Sequence, residues 1–179
     1  MGSMANRLND TAEALLACVA DALADDMRPV CKVYQTHGIP VILECCECDD
    51  PDLGDEANGE ISIHFRRLFD ADPSSLDEVR RIRPCHGGAI VAQFRIVLAR
   101  CRPILNEKGE IPPPEDLTEH TEDQLRDIEL LWQALACCGM DLRVDDVSAD
   151  LSDPGMCSVT FADVTVQVQI PALPDPGSA

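Results

Sequence analysis

The chain has 179 residues and is 45% hydrophobic, enough for one domain with a core of its own. Its formal net charge of −19 works against adsorption on a phosphate backbone, and one tryptophan and one tyrosine are too few to build stacking platforms for bases or sugars. About 20 consecutive apolar residues, the length a membrane-spanning helix needs, occur nowhere, and Asp10, Glu13 and Asp21 interrupt the first apolar run before it takes the form of an export signal.

Leu8, Ala12, Leu15, Leu16, Val19 and Leu23 recur at helical spacing, and Asp10 with Glu13 has the form of a capping box, so an amphipathic helix is expected over about 8–27, ending before Pro29. Residues 30–34 and 41–48 read as two strands joined at a His37-Gly38 turn, which makes a hairpin the simplest pairing. An acidic loop follows over about 49–60, holding Asp49, Asp50, Asp52, Asp55 and Glu56 without a basic residue. Ile61, Ile63 and Phe65 then alternate with Ser62, His64 and Arg66, the pattern of a half-buried strand.

Residues 72–82 form a short polar helix in this reading, with Arg80, Arg81 and Arg83 near its end. Residues 89–101 give the longest strand, central in its sheet. Pro112, Pro113 and Pro114 stiffen a Pro-rich connecting arm at about 103–117. Thr121 and Gln124 suggest a second capping box, and Leu125, Ile128, Leu131, Trp132 and Leu135 an apolar stripe closed by Gly139. After a loop at 145–155, residues 159–161 and 164–170 supply a carboxy-terminal hairpin at about 157–170. The order of elements describes a single α+β domain over 1–179: a mainly antiparallel sheet with two principal helices packed on one face.

The ten cysteines invite a metal or disulfide reading. Cys45, Cys46 and Cys48 lie together and Cys85 precedes His86, yet two chelating pairs of C-x2-C type are lacking, so no metal site is assigned. Cys85 and Cys101 flank one expected strand and are too far apart to pair, while Cys137 and Cys138 read as core filler. His37, His64, His86 and His120 are scattered, in turn, polar-face or helix-start positions. The acidic loop lacks the spacing of a calcium-binding EF-hand, and nucleophile-elbow, phosphate-loop and zinc-protease motifs are missing as well. Catalytic, cofactor-binding and metal residues are therefore all assigned as none, and no enzyme is expected.

Eight of the 14 Lys+Arg residues are Arg66, Arg67, Arg80, Arg81, Arg83, Arg95, Arg100 and Arg102, whereas acidic residues crowd before Glu60. That asymmetry is either incidental or the sign of head-to-tail packing, the basic side of one subunit meeting the acidic side of the next. The long loops at 49–60, 103–117 and 141–157 are candidate contact arms.

The run Cys85-His86-Gly87-Gly88 leading into strand 89–101, Arg102-Pro103, the prolines at 112–114, the helix with Leu131-Trp132-Gln133-Ala134-Leu135 and the closing strand 164–170 together resemble the tail terminator proteins of tailed phages that infect actinobacteria. The resemblance rests on order and spacing and covers roughly residues 85–170, with an amino-terminal helix in a similar place. It implies a virion protein of the neck, made in the host bacterial cytoplasm, whose copies form a hexameric ring. The ring caps the tail tube and receives the head-tail connector or stopper, and DNA passes its lumen without specific binding. Neither a reaction nor a cofactor is implied. The cluster Cys45-Cys46-Glu47-Cys48 departs from that pattern. Another neck or head-completion adaptor, and a metal-binding interaction module built on Cys45, Cys46, Cys48 and Cys85, are the alternatives.

Overall fold

A computed structural model of the chain describes residues 4–24, 26, 28–37, 58–70, 90–101, 111–150 and 157–168. They form two helices and five strands in the order α1 (Met4–Ala24), β1 (Lys32–His37), β2 (Glu60–Asp70), β3 (Ile90–Cys101), α2 (Pro114–Cys137), β4 (Leu142–Asp150) and β5 (Cys157–Val168). The strands make one sheet in the order β1-β2-β3-β5-β4, antiparallel throughout except where β1 runs parallel to β2. The α+β class and the mainly antiparallel sheet are as the sequence suggests.

α1 forms because Ala12, Leu15, Leu16, Val19 and Leu23 fall on one face, and all five are buried. Its start lies ahead of the expected one. Asp10 and Glu13 sit well inside the helix, where no free backbone N–H groups need a cap, and Glu13 accepts a hydrogen bond from Asn9 Nδ2, one turn earlier.

Residues 41–48, the expected hairpin partner of 30–34, lie outside the described residues; β1 itself pairs in parallel with β2, from Lys32 opposite Glu60 to His37 opposite Phe65. That partner is set just ahead of the strands, where Asn58 N donates to Pro29 O and Cys31 N to Gly59 O. His37 is therefore the last residue of a strand rather than part of a turn. The second expected strand, the acidic loop up to residue 57, the 72–82 helix and residues 102–110 of the Pro-rich arm lie outside the described residues.

β2 alternates as expected but is more than half buried: Glu60 to His64 are enclosed on both faces, Ser62 and His64 included. An interior strand between β1 and β3 has no edge in water, and here its second face is covered too. Beyond a bulge at Phe65/Arg67 the strand emerges, with Arg66, Arg67 and Leu68 exposed. β3 is the central strand, and Ala92, Phe94, Ile96 and Leu98 project into a cluster shared with the buried residues of both helices and with Ile61, Ile63, Ala162 and Val164. Val97, Ala99 and Val159 form a second cluster, with Phe161 packed against it.

α2 also begins earlier than expected, at Pro114, so the last part of the Pro-rich arm is helical. Proline suits the first helical position, because the N–H it lacks has no acceptor there. Thr121 is consequently an interior residue, its hydroxyl donating to Leu117 O at 2.9 Å instead of capping. Gly139 ends the helix as expected, with φ +64 just beyond the Cys138 cap.

The carboxy-terminal end differs most. Residues 142–150, expected as loop, are strand β4, and 157–168 is one continuous strand rather than a hairpin; the hairpin partner of β5 is β4. A bulge between Val144 and Asp146 breaks the alternation of β4 and so hides it in the sequence. Asp145 at that bulge accepts from Arg143 Nε at 2.7 Å and from Gln93 Nε2 at 3.2 Å, and Thr165 donates to it as well. The expected contact arm at 141–157 is thus largely sheet.

Candidate functional site

The densest polar constellation is buried where α2 crosses the end of β3. Arg100, on β3, directs Nε at both carboxylate oxygens of Asp127, on α2, at 3.0 and 3.2 Å. Its Nη1 donates to Arg28 O at 2.7 Å and to Asn58 O at 2.9 Å. Arg28 joins the same carboxylate through Nη2 at 3.2 Å and reaches Asp123 at 3.0 Å. Asp26 completes the group, 3.8 Å from Arg100 Nη2 and 3.2 Å from Arg126. The side chains of Arg100, Asp127 and Asp26 are almost wholly enclosed.

Burial pushes the Asp127 carboxyl above its usual range, while the charges of Arg100 and Arg28 pull it back. Burial likewise lowers Arg100, against the attraction of Asp127. Gly59 makes the arrangement possible: at φ +90 its missing side chain would fall 2.4 Å from Ala99 O and about 3.1 Å from Arg100 Cγ, so the 58–59 backbone can lie flat against β3. Four segments far apart in sequence, 26–28, 58–59, 99–100 and 123–127, are pinned at one point. Most polar atoms of the node are bonded to another side chain or a backbone carbonyl, while Arg100 Nη2 and Asp26 Oδ2 face each other at 3.8 Å without a hydrogen bond, and the arrangement works as a fastening of the fold.

Of the eight arginines singled out in the sequence, Arg80, Arg81, Arg83 and Arg102 lie outside the described residues. Arg100 is in the node. Arg95 forms a two-pronged pair with Asp163 at 2.8 and 2.7 Å and lies 4.2 Å over the Phe161 ring. Only Arg66 and Arg67 of the described four are exposed, and Arg67 also lies 4.8 Å over Phe69. Among the described residues the basic side expected of the subunit comes down to Arg66 and Arg67.

His64 is buried, not on a polar face in water. Its Nε2 is 2.8 Å from Ser62 Oγ, two residues back on the same face of β2. Burial lowers its pKa first and the Arg95 charge across the ladder second, so the ring is held neutral in the fold. The unfolded chain therefore takes up the proton that the folded chain refuses. Stability is fully present above the unfolded value of 6.5 and falls as pH drops below it, by at most about 1.4 kcal/mol per pH unit for this one group. Urea denaturation at a series of pH values from 7.5 down to 5 is expected to show this slope, and His64→Gln is expected to flatten it. An unchanged slope in the variant would refute the assignment.

The cysteines are corrected as well. Cys138 is bonded to Cys18 of α1, with Cα atoms 5.7 Å apart, and Cys137 is an exposed free thiol, so neither is core filler. Cys31, Cys101 and Cys157 are also disulfide-bonded. Cys45, Cys46, Cys48 and Cys85 lie outside the described residues, and among the described residues no three His, Cys, Asp or Glu side chains converge as a metal site would require.

Among the described residues hollows border both helices. One of 560 Å³ lies between the first turns of α1 and the sheet, floored by Phe65 and Phe94 and rimmed by Asn6, Asn9 and Gln35. The second, 210 Å³, lies beside α2 between Leu125, Ile128, Ala149 and Ser158. It adjoins the departure of α2 from its expected stripe: Leu131 and Leu135 are buried as expected, but Leu125 is 61% and Trp132 53% exposed. Asp127 occupies the buried face instead. Its place one turn before Leu131 was the available signal that the inward face of α2 carries a charge.

No family model matches the chain, and no curated protein does. No helix among the described residues is long and apolar enough to cross a membrane.

Proposed function

We propose that this chain is a structural virion protein, a tail terminator whose copies form a ring that caps the tail tube and joins it to the head connector. The observation that carries the reading is the outward α2 surface, where a half-exposed tryptophan and a more exposed leucine sit on an otherwise acidic helix. Large apolar side chains held out of the core mark contact surfaces. The resemblance of residues 85–170 to tail terminators supplies the kind of partner: further copies of the chain, the tail tube protein and the connector or stopper. In this role the chain catalyses nothing, and the −19 charge suits a lumen past which DNA slides without being held.

Native mass measurement and electron microscopy of the chain, alone and mixed with growing tail tubes, test the proposal. Closed rings seated on tube ends, with elongation stopped, are expected. A chain that stays single and leaves tube ends growing at every ratio would refute it. Rings that seat on the portal side and ignore tubes would favour a neck adaptor instead.

A further inference from the structure

Glu122, Leu125, Glu129 and Trp132 follow one another along α2 at intervals of three and four, so they share one outward face. All four are exposed. Acidic and large apolar side chains alternate along this face. A second copy of the same face is an unsuitable partner, because Glu122 and Glu129 of the two copies would be brought together while the leucine and tryptophan lost water. The complement must be basic with an apolar member.

Among the described residues the exposed basic side chains are Arg66, Arg67, Arg126 and Arg143, the last held by Asp145 at 2.7 Å. Arg126 is on α2 itself and is bonded to Asp26. Arg66 and Arg67 are adjacent at the bulged end of β2 and lie on the same sheet face, near Asp163 and Gln93, with the partly buried Phe69 beneath Arg67 as their apolar neighbour. Arg66 holds its own Asp163 only loosely, at 3.8 Å. The two patches lie over different parts of the sheet: among the described strands α2 packs on β4 and β5, at one end of the strand order, whereas β2 is next to β1 at the other. A contact between unlike patches on opposite halves of a subunit is head-to-tail, the kind that generates a closed ring when its rotation closes.

We infer that the Glu122/Leu125/Glu129/Trp132 face of α2 docks on the Arg66/Arg67/Phe69 end of β2 in a second copy of this chain. The inference rests on the ring reading above and assigns its subunit interface. Trp132 is the single tryptophan of the chain, so its emission reports directly on this contact.

The full-length chain is followed by sedimentation and by tryptophan emission, alone and on tail-tube ends. Emission is expected to shift to shorter wavelength in step with the gain in mass. Arg66→Glu with Arg67→Glu is expected to weaken assembly at least about tenfold, as facing like charges should. Glu122→Arg with Glu129→Arg is expected to do the same alone. Mixing the two double variants is expected to restore assembly, since each then offers the charge that the other lacks. Circular dichroism matching the parent keeps misfolding apart from lost docking. Rings that form undisturbed by either charge reversal would overturn this interface and leave the ring reading standing. A chain that neither self-associates nor caps tubes would overturn both. An emission shift that needs tube protein and ignores the reversals would assign the face to the tube and overturn the contact between copies.

Discussion

Replacing Asp127 by alanine is expected to destabilise the fold by about 3–5 kcal/mol, a large share of the ~5–15 kcal/mol that holds a domain of this size. The cost arises from what stays behind. Arg100 would keep its bonds to Arg28 O and Asn58 O, but its charge would be enclosed with only Asp26 nearby, at 3.8 Å, and Arg28 would lose its link to α2 at the same position. Burial already disfavours the charged forms of both Asp127 and Arg100, so the pair draws little net stability from its own attraction. The same reasoning predicts an asymmetry: Asp127→Leu together with Arg100→Met, which removes both charges and fills the space, is expected to recover most of the loss. Urea denaturation of the three proteins decides it. A single alanine variant within about 1 kcal/mol of the parent would mean that water reaches the node and that its enclosure is not what fixes the four segments.

The readable and unreadable parts of this fold divide along a physical line. α1, β3 and the last part of β5 each turn one regular apolar face into the main core, and those periodicities, from Leu15 through Leu23, Phe94 through Leu98 and Val164 through Val168, show in the sequence without help. β4 does not, because the bulge at Val144/Asp146 interrupts its alternation and places two aspartates where a strand is least expected to carry them. Both apparent capping boxes mislead for one reason: Asp10 with Glu13 and Thr121 with Gln124 have the right spacing, but nothing local says whether another turn of helix precedes them. The node was hidden by distance, since Arg28, Arg100 and Asp127 become neighbours only when the helices are laid on the sheet. The apolar stripe of α2 was legible as a stripe but not as two surfaces, one inward through Leu131 and Leu135 and one outward through Leu125 and Trp132. The outward surface is where the functional reading now rests.

Removing the Cys18–Cys138 bond, by Cys18→Ala with Cys138→Ala, is expected to cost about 2–5 kcal/mol, the second large effect. The bond joins α1 to the residue that caps α2, across a sequence separation of 120. An unlinked loop of that length would place the figure near the top of the range, but Cys31, Cys101 and Cys157 are disulfide-bonded too and already restrict the unfolded chain. The middle of the range is therefore expected while those other bonds are intact. Cys137 complicates the comparison, because an exposed thiol next to a bonded cysteine can attack that bond and shuffle it. The measurement should start from Cys137→Ser, which removes the attacker, and then add the two alanines. Loss of the tether should show first in hydrogen exchange of the last turn of α2 and of the facing part of α1 near Cys18. The buried leucines and valine of α1 keep the helix docked, so a folded but more openable protein is the expected product. If exchange rises uniformly across the sheet, or if stability changes by less than about 1 kcal/mol, the bond is an ornament on a helix pair that packing alone already fixes.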